Sequence, residues 1–171
     1  MTRLRALLEH PWLLRIRRNH GLEHATIHLL AQRFPGTFLA GHSDAQGFWI
    51  LGTVPLEAVQ SAVHEALERL RRGERHLALH PGCGTNYLTS GALAGLAGAA
   101  ALSGARNRRE RWERLPLVVL AATVALLFSQ PMGMWLQEHL TTSGDPGDLE
   151  VVDILPTHRG QLPAFRVLTR G

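Results

Sequence analysis

Apolar and polar positions recur along this chain at two periods, and the changes of period mark its elements. From His20 to Arg33 the spacing is helical: Leu22, Ala25 and Leu29 fall on one side, and the run stops at Phe34-Pro35-Gly36. Thr37 to Gly41 and Gly47 to Val54 read as two strands joined by the polar turn His42-Ser43-Asp44-Ala45-Gln46, a hairpin. Pro55 opens the next helix, in which Leu56, Val59, Val63, Ala66, Leu67 and Leu70 keep the 3.6-residue period and Gly73 is placed to cap the end. His76 to Leu79 is a short strand candidate. It leads into a glycine-rich loop, His80-Pro81-Gly82-Cys83-Gly84-Thr85-Asn86.

Two apolar segments follow. Tyr87 to Ala105 is rich in Gly and Ala, and Gly91, Gly95 and Gly98 share roughly one side, a spacing that lets helix backbones approach closely. Leu115 to Leu136 is more strongly apolar and long enough to span about 30 Å of hydrocarbon, with Pro116 and Pro131 near its ends. Between them lies the charged stretch Arg106 to Arg114. The pattern predicts a two-helix transmembrane hairpin; a buried helical pair in a soluble protein is the alternative. After a linker at Thr141 to Gly147, Leu149 to Leu155 and Ala164 to Thr169 alternate as strands, with Pro156 and Pro163 in a loop between edge strands. The expected fold is therefore α+β, a small mixed sheet with two or three helices, interrupted by the hairpin. Residues 1–86 form the N-terminal α+β part, 87–140 the hairpin, and 141–171 strands that rejoin the N-terminal sheet.

Composition narrows the class. Hydrophobic residues make up 45% of the 171 and charged residues 19%, which suits a folded domain rather than a disordered chain. Every one of the 18 basic residues is Arg, and the net charge of +4 is concentrated in Arg3 to Arg18, Arg69 to Arg75 and Arg106 to Arg114. These clusters carry few aromatics and no nucleic-acid-binding spacing, so they point to anionic lipid headgroups and a bilayer rather than to nucleic acid. The lone Cys83 excludes an intrachain disulfide framework. At the N-terminus, Glu9, His10 and Pro11 interrupt the apolar run, which reads as a short amphipathic helix and not as a signal peptide. Arginines on both sides of the first apolar segment compete in setting orientation. The absence of an export signal favours a multi-pass protein of the bacterial inner membrane with its globular part in the cytoplasm.

The candidate chemistry begins at Asn19-His20-Gly21-Leu22-Glu23-His24-Ala25-Thr26-Ile27-His28. On a helix, His20, Glu23, His24 and His28 fall within an arc of about 140°, which supplies imidazoles one turn apart and a carboxylate able to work on bound water. His20 and His24 are candidate metal ligands, zinc being the expected ion. His28 continues the stripe, but sits about 12 Å from His20 along the axis, so it belongs to the surroundings of the site or to another one. The cysteine loop offers His80 and Cys83 as further ligands, with glycines on both sides of the thiol giving the backbone freedom. Cys83 as a nucleophile, and the loop as a plain helix entry, stay open. The remaining histidines have no partner spacing.

The H-x-x-E-H run resembles the inverzincin zinc-peptidase signature. That resemblance covers five residues and implies His20 and His24 as ligands and Glu23 as the base that activates water. The chain lacks the length of that family's usual fold. Together, the N-H-G-L-E-H-A-T run, the H-P-x-C-G-T-N loop and the following helices resemble a bacterial family of small membrane proteins of unknown function, seen in cyanobacteria and Chloroflexota. This second resemblance implies a membrane protein and no activity. The expectation is a membrane-anchored metal protein, a zinc-dependent hydrolase of amide bonds with Glu23 as the catalytic residue. If His20, His24, His80 and Cys83 all bind one ion, the site is structural instead. The rival readings are a non-catalytic accessory or assembly subunit of a membrane complex, or a homo-oligomer joined through Gly91 and Gly95; a thiol site at Cys83; and haem held by the histidine stripe.

Overall fold

The structure, a computed structural model, describes residues 3–171. The side chains of residues 1–4, including Arg3 at the head of the first arginine cluster, lie outside the described residues. Two compact units are formed: Met1–His80 with Glu138–Gly171, and Pro81–Gln137.

The first unit contains α1 (Arg3–Leu8), α2 (Pro11–Arg33), strands β1 (Ala40–Asp44) and β2 (Gly47–Leu51), and α3 (Leu56–Arg71). A 3₁₀ turn at Arg75–Ala78 follows, and the unit ends with strands β3 (Glu150–Arg159) and β4 (Leu162–Arg170). The α2 helix starts nine residues before the histidine stripe, with Pro11 at its first turn, and closes at Phe34, whose amide bonds to the Leu30 carbonyl. Pro11 does not interrupt the helix because an N-terminal turn has no use for the missing amide hydrogen.

The four strands lie in the order β1-β2-β4-β3, and every pairing is antiparallel, so the sheet is not the mixed one expected. Phe48 and Ile50 of β2 stand opposite Val167 and Phe165 of β4 and are buried. With Leu22, Leu29 and Leu30 of α2 and Val59, Val63 and Leu70 of α3 they form the core. Residues of alternate parity face the other way: the guanidinium carbons of Arg159 and Arg166 lie 5.0 and 5.1 Å from the Trp49 ring centre. Apolar on one face and cationic–aromatic on the other is the pattern of an antiparallel sheet covered on one side.

Four local expectations change. His42 to Asp44 belong to β1 and not to the turn: they pair with Trp49, Phe48 and Gly47, which leaves Ala45-Gln46 as the connection. His76–Leu79 is not a strand: Leu77 and Ala78 turn inward within a single 3₁₀ turn, Arg75–Ala78, that packs on α2. Pro156 and Pro163 lie within β3 and β4 rather than in a loop, and the connecting turn is made at Gly160. An edge strand tolerates Pro156, and Pro163 falls at the very start of β4. And β4 is a central strand, not an edge.

Part of the first arginine cluster is taken up internally. Arg15 donates to the Thr169 carbonyl at 2.7 Å, Arg17 to the Thr142 carbonyl at 2.9 Å, and Arg18 pairs with Asp148. Asn19, fully buried, donates to the Asp44 carbonyl and accepts from Thr169, which ties α2 to β1 and β4. Gly21 faces the Ser143 carbonyl so closely that an added Cβ would overlap the oxygen.

The second unit contains α4 (Gly84–Leu102), α5 (Arg108–Glu113) and α6 (Leu115–Leu136), and a π-helical turn at Gln137–Thr141 continues the last helix. Asn86 touches Gly133 and accepts from Gln137 at 2.9 Å, Ser90 bonds Ser129 at 2.7 Å, and Gly98 lies near Val118, so α4 and α6 run antiparallel. Among the described residues one helix, Leu115–Thr141, is long and apolar enough to cross a membrane, and only 6% of its most apolar stretch is buried within the protein. The glycines of α4 and the polar residues of its first turns, Thr85, Asn86, Thr89 and Ser90, keep it below that standard.

Gly21→Ala is expected to cost about 1–3 kcal/mol through overlap with the Ser143 backbone, read as a lower melting temperature by circular dichroism. Gly91→Ala, where a methyl meets nothing within 4 Å, is expected to leave stability unchanged or raise it.

Candidate metal centre

The site is built on the middle of α2. One face of that helix feeds the core through Leu22, Ala25 and Leu29, which leaves the histidines facing the 3₁₀ turn and the residues after it. Three main-chain carbonyls receive them. His24 Nδ1 lies 2.8 Å from the Ala78 oxygen, His20 Nδ1 2.9 Å from the Thr141 oxygen, and His28 Nε2 2.7 Å from the Leu79 oxygen. A carbonyl oxygen only accepts, so in each pair the named ring nitrogen carries the hydrogen and donates. In the neutral rings the lone pair is then Nε2 in His20 and His24 and Nδ1 in His28. Orientation by a carbonyl on the far nitrogen is the usual support of a metal-binding imidazole.

His20, His24 and Cys83 can each bring one ligand atom to the same place: these atoms lie within 4.8 Å of one another, and the three residues could bind a metal ion. His24 and Cys83 are buried and His20 is half-buried. The imidazoles form a continuous series, with ring centres 4.3 Å apart for His20 and His24, 5.7 Å for His24 and His80, and 4.9 Å for His80 and His28. His80 thus lies between His24 and His28, nearer His28, which ends the series.

Burial holds the His24 ring neutral. Its pKa is pushed down to about 3, first by desolvation and then by the neighbouring His20, against the pull of the Ala78 carbonyl. Desolvation also lowers His80, with His28 adding to it. Neutral rings with defined lone pairs are what a cation requires.

Glu23 lies on the β1 side of the stripe. Its carboxyl accepts from the Ser43 hydroxyl and packs on Gly41, where any Cβ would overlap it. Desolvation raises the Glu23 pKa, opposed by the Ser43 hydrogen bond and by His20. Glu23 is 4% exposed, and His20 one turn away acts on its carboxyl electrostatically. A cleft of about 470 Å³, flanked by Arg17, Arg75 and Glu138, is also walled by Ala78 and Leu79, the residues whose carbonyls hold His24 and His28.

The supports escaped sequence reasoning. Gly41, Ser43, Asn19 and Gly21 surround the stripe, and the carbonyls of Ala78, Leu79 and Thr141 leave no mark in side-chain identity. Gly21 and Asn19, placed directly beside His20, were the available signal.

Residues 15–154 match the family described as a domain of unknown function (DUF6391). An uncharacterised protein of Picosynechococcus sp. is 38% identical over 146 residues, covering 77% of this chain and 67% of its own length. No solved structure matches. The expected resemblance to an uncharacterised bacterial family therefore holds.

Unfolded His24 takes up a proton near its ordinary value of 6.5, and the folded ring only at about 3. Across that window the unfolded state binds more protons, so the metal-free fold is expected to lose stability as pH falls. Glu23, with its raised pKa, contributes the opposite slope. Urea midpoints should drop between about pH 6.5 and about pH 4, and His24→Gln should remove the His24 share of that drop.

Proposed function

Because this chain belongs to DUF6391, a family whose description assigns no activity, we propose from its own residues that it is a membrane-anchored metalloprotein acting as a zinc-dependent amide hydrolase. The observation that carries the reading is the convergence of ligand atoms from His20, His24 and Cys83, with both imidazoles pre-oriented by carbonyls. Two nitrogens and a thiolate suit zinc, and three protein donors leave a fourth position for water or substrate, as catalytic zinc sites do. Zinc held there would polarise water and the substrate carbonyl. Glu23 would take the water proton as the oxygen bonds to the carbonyl carbon, and would release it to the amine nitrogen as the C–N bond breaks. The cleft beside Ala78 and Leu79 supplies room for a peptide-sized substrate.

Membrane anchoring is supported by the helix Leu115–Thr141, whose apolar surface is left outside the protein's own packing. Trp112 and Trp135 sit near the ends of that segment, as interfacial tryptophans do. A second reading, an accessory subunit without catalysis, is favoured by Gly91 and Gly95: among the described residues a methyl added at either meets nothing within 4 Å, which leaves this close-approach stretch of α4 open.

Protein purified in detergent is expected to take up Co²⁺ with a thiolate-to-cobalt charge-transfer band that Cys83→Ser removes. A preparation that binds neither cobalt nor zinc overturns the metal reading. Glu23→Gln is expected to keep the band and lower hydrolysis of a mixed peptide library by about 10²–10⁴; an unchanged rate assigns the protein to the accessory reading. After alkaline carbonate washing the chain is expected to stay with membranes and to be released only by detergent.

A further inference from the structure

The outer half of the histidine series, His28 and His80, is not used by the three-donor centre. Along α2, His20 and His28 are separated by about 12 Å of rise, which one ion with bonds of about 2 Å cannot bridge. His28 therefore needs a different partner, and the structure supplies one. Its Nε2 is committed to the Leu79 carbonyl at 2.7 Å, which leaves Nδ1 as the lone-pair nitrogen. His80 is the next residue after Leu79, so the carbonyl that orients one ring lies one peptide unit from the other.

The spacing of the two rings is the spacing of co-ligands. Two imidazoles on one tetrahedral ion, with bonds of about 2.0–2.1 Å and a further ~1.1 Å from nitrogen to ring centre, hold their centres roughly 5 Å apart. His28 and His80 are 4.9 Å apart and their planes are inclined at 57°, which is not a stacked pair. Both are half-buried, whereas His24 is 2% and Cys83 6% exposed. Solvent can thus complete a coordination shell at the outer pair. The inner trio contains no carboxylate to bridge two ions, so the arrangement is two stations in series rather than one bimetallic cluster.

We propose that His28 and His80 form a second, outer binding station for a nitrogen-preferring divalent metal ion, with water as the remaining ligands, through which the ion passes to the inner centre. This deepens the metal reading given above and rests on it for the direction of transfer. With two neutral protein donors and no thiolate, the outer station binds more weakly than the inner one.

Equilibrium dialysis and absorption spectroscopy with Co²⁺ on the full chain in detergent test this. The wild type is expected to bind two equivalents, the tighter one producing the charge-transfer band and the weaker one leaving it unchanged. His28→Gln, whose amide can still donate to the Leu79 carbonyl, and His80→Gln are each expected to bind a single equivalent with the band intact, and to load it at least several-fold more slowly. Saturation of the wild type at one equivalent, with the charge-transfer band present, overturns the proposal without any variant. Loss of the band in His80→Gln overturns it too, because His80 is then a ligand of the inner ion. Failure of the underlying reading looks different: no charge-transfer band in the wild type, with one equivalent still lost in His28→Gln, removes the inner centre and leaves the outer station standing.

Discussion

Hydrogen bonds from α2 imidazoles to main-chain carbonyls set the chemistry of this protein. An imidazole buried without a partner would be costly, and one that could rotate would present either nitrogen. Here the carbonyls of Ala78, Leu79 and Thr141 each accept from one ring, so the tautomer and the direction of the lone pair are determined together. Those carbonyls are available for a reason. Ala78 ends a single 3₁₀ turn, and carbonyls at the end of a helical turn lack partners within it. Thr141 ends the π-helical turn, and the chain just beyond it passes over Gly21, where no side chain intervenes.

The α2 helix therefore serves three surfaces at once. Leu22, Ala25 and Leu29 enter the core; Asn19 and Glu23 reach β1; and the histidines reach the 3₁₀ turn. This explains an unusual concentration of polar burial in one helix: Asn19, Glu23, His24 and Thr26 are all buried, and each has a hydrogen-bond partner. Such a segment tolerates little change, because replacing any one of these groups strands its partner.

The sequence was most legible where periodicity governs. The apolar stripes of α2 and α3, the presence of a hairpin after α2 and the limits of α6 follow from spacing and from the punctuation at Pro35-Gly36 and Pro55. But β1 lies three residues later than its pattern suggested, because His42 to Asp44 are polar strand residues on an edge. The His20–His24 pair was legible because i, i+4 spacing brings two side chains to one face, and Cys83 because glycines flank it. What could not be read was carried by the backbone. The 3₁₀ turn at Arg75–Ala78 resembles a strand in sequence, since four residues with a buried Leu77 fit either form. Pro163 suggested a loop, although a proline at the start of a strand gives up little pairing. The arginines of α2 suggested a lipid-facing surface, while Arg15 and Arg17 in fact answer carbonyls more than a hundred positions away, and such distant acceptors have no local signature.

The order of the sheet has a consequence for biosynthesis. The strand β4 lies between β2 and β3, yet it follows α6 in the chain, so the middle of the sheet is the last part to be made. Until it emerges from the ribosome, the β2 edge of the β1–β2 ribbon presents an open row of amides and carbonyls. A ribosome stalled after α6 would release a chain that holds every histidine of the stripe but has nothing to close its sheet. Quality-control proteases would meet that species as a long-lived, adhesive intermediate.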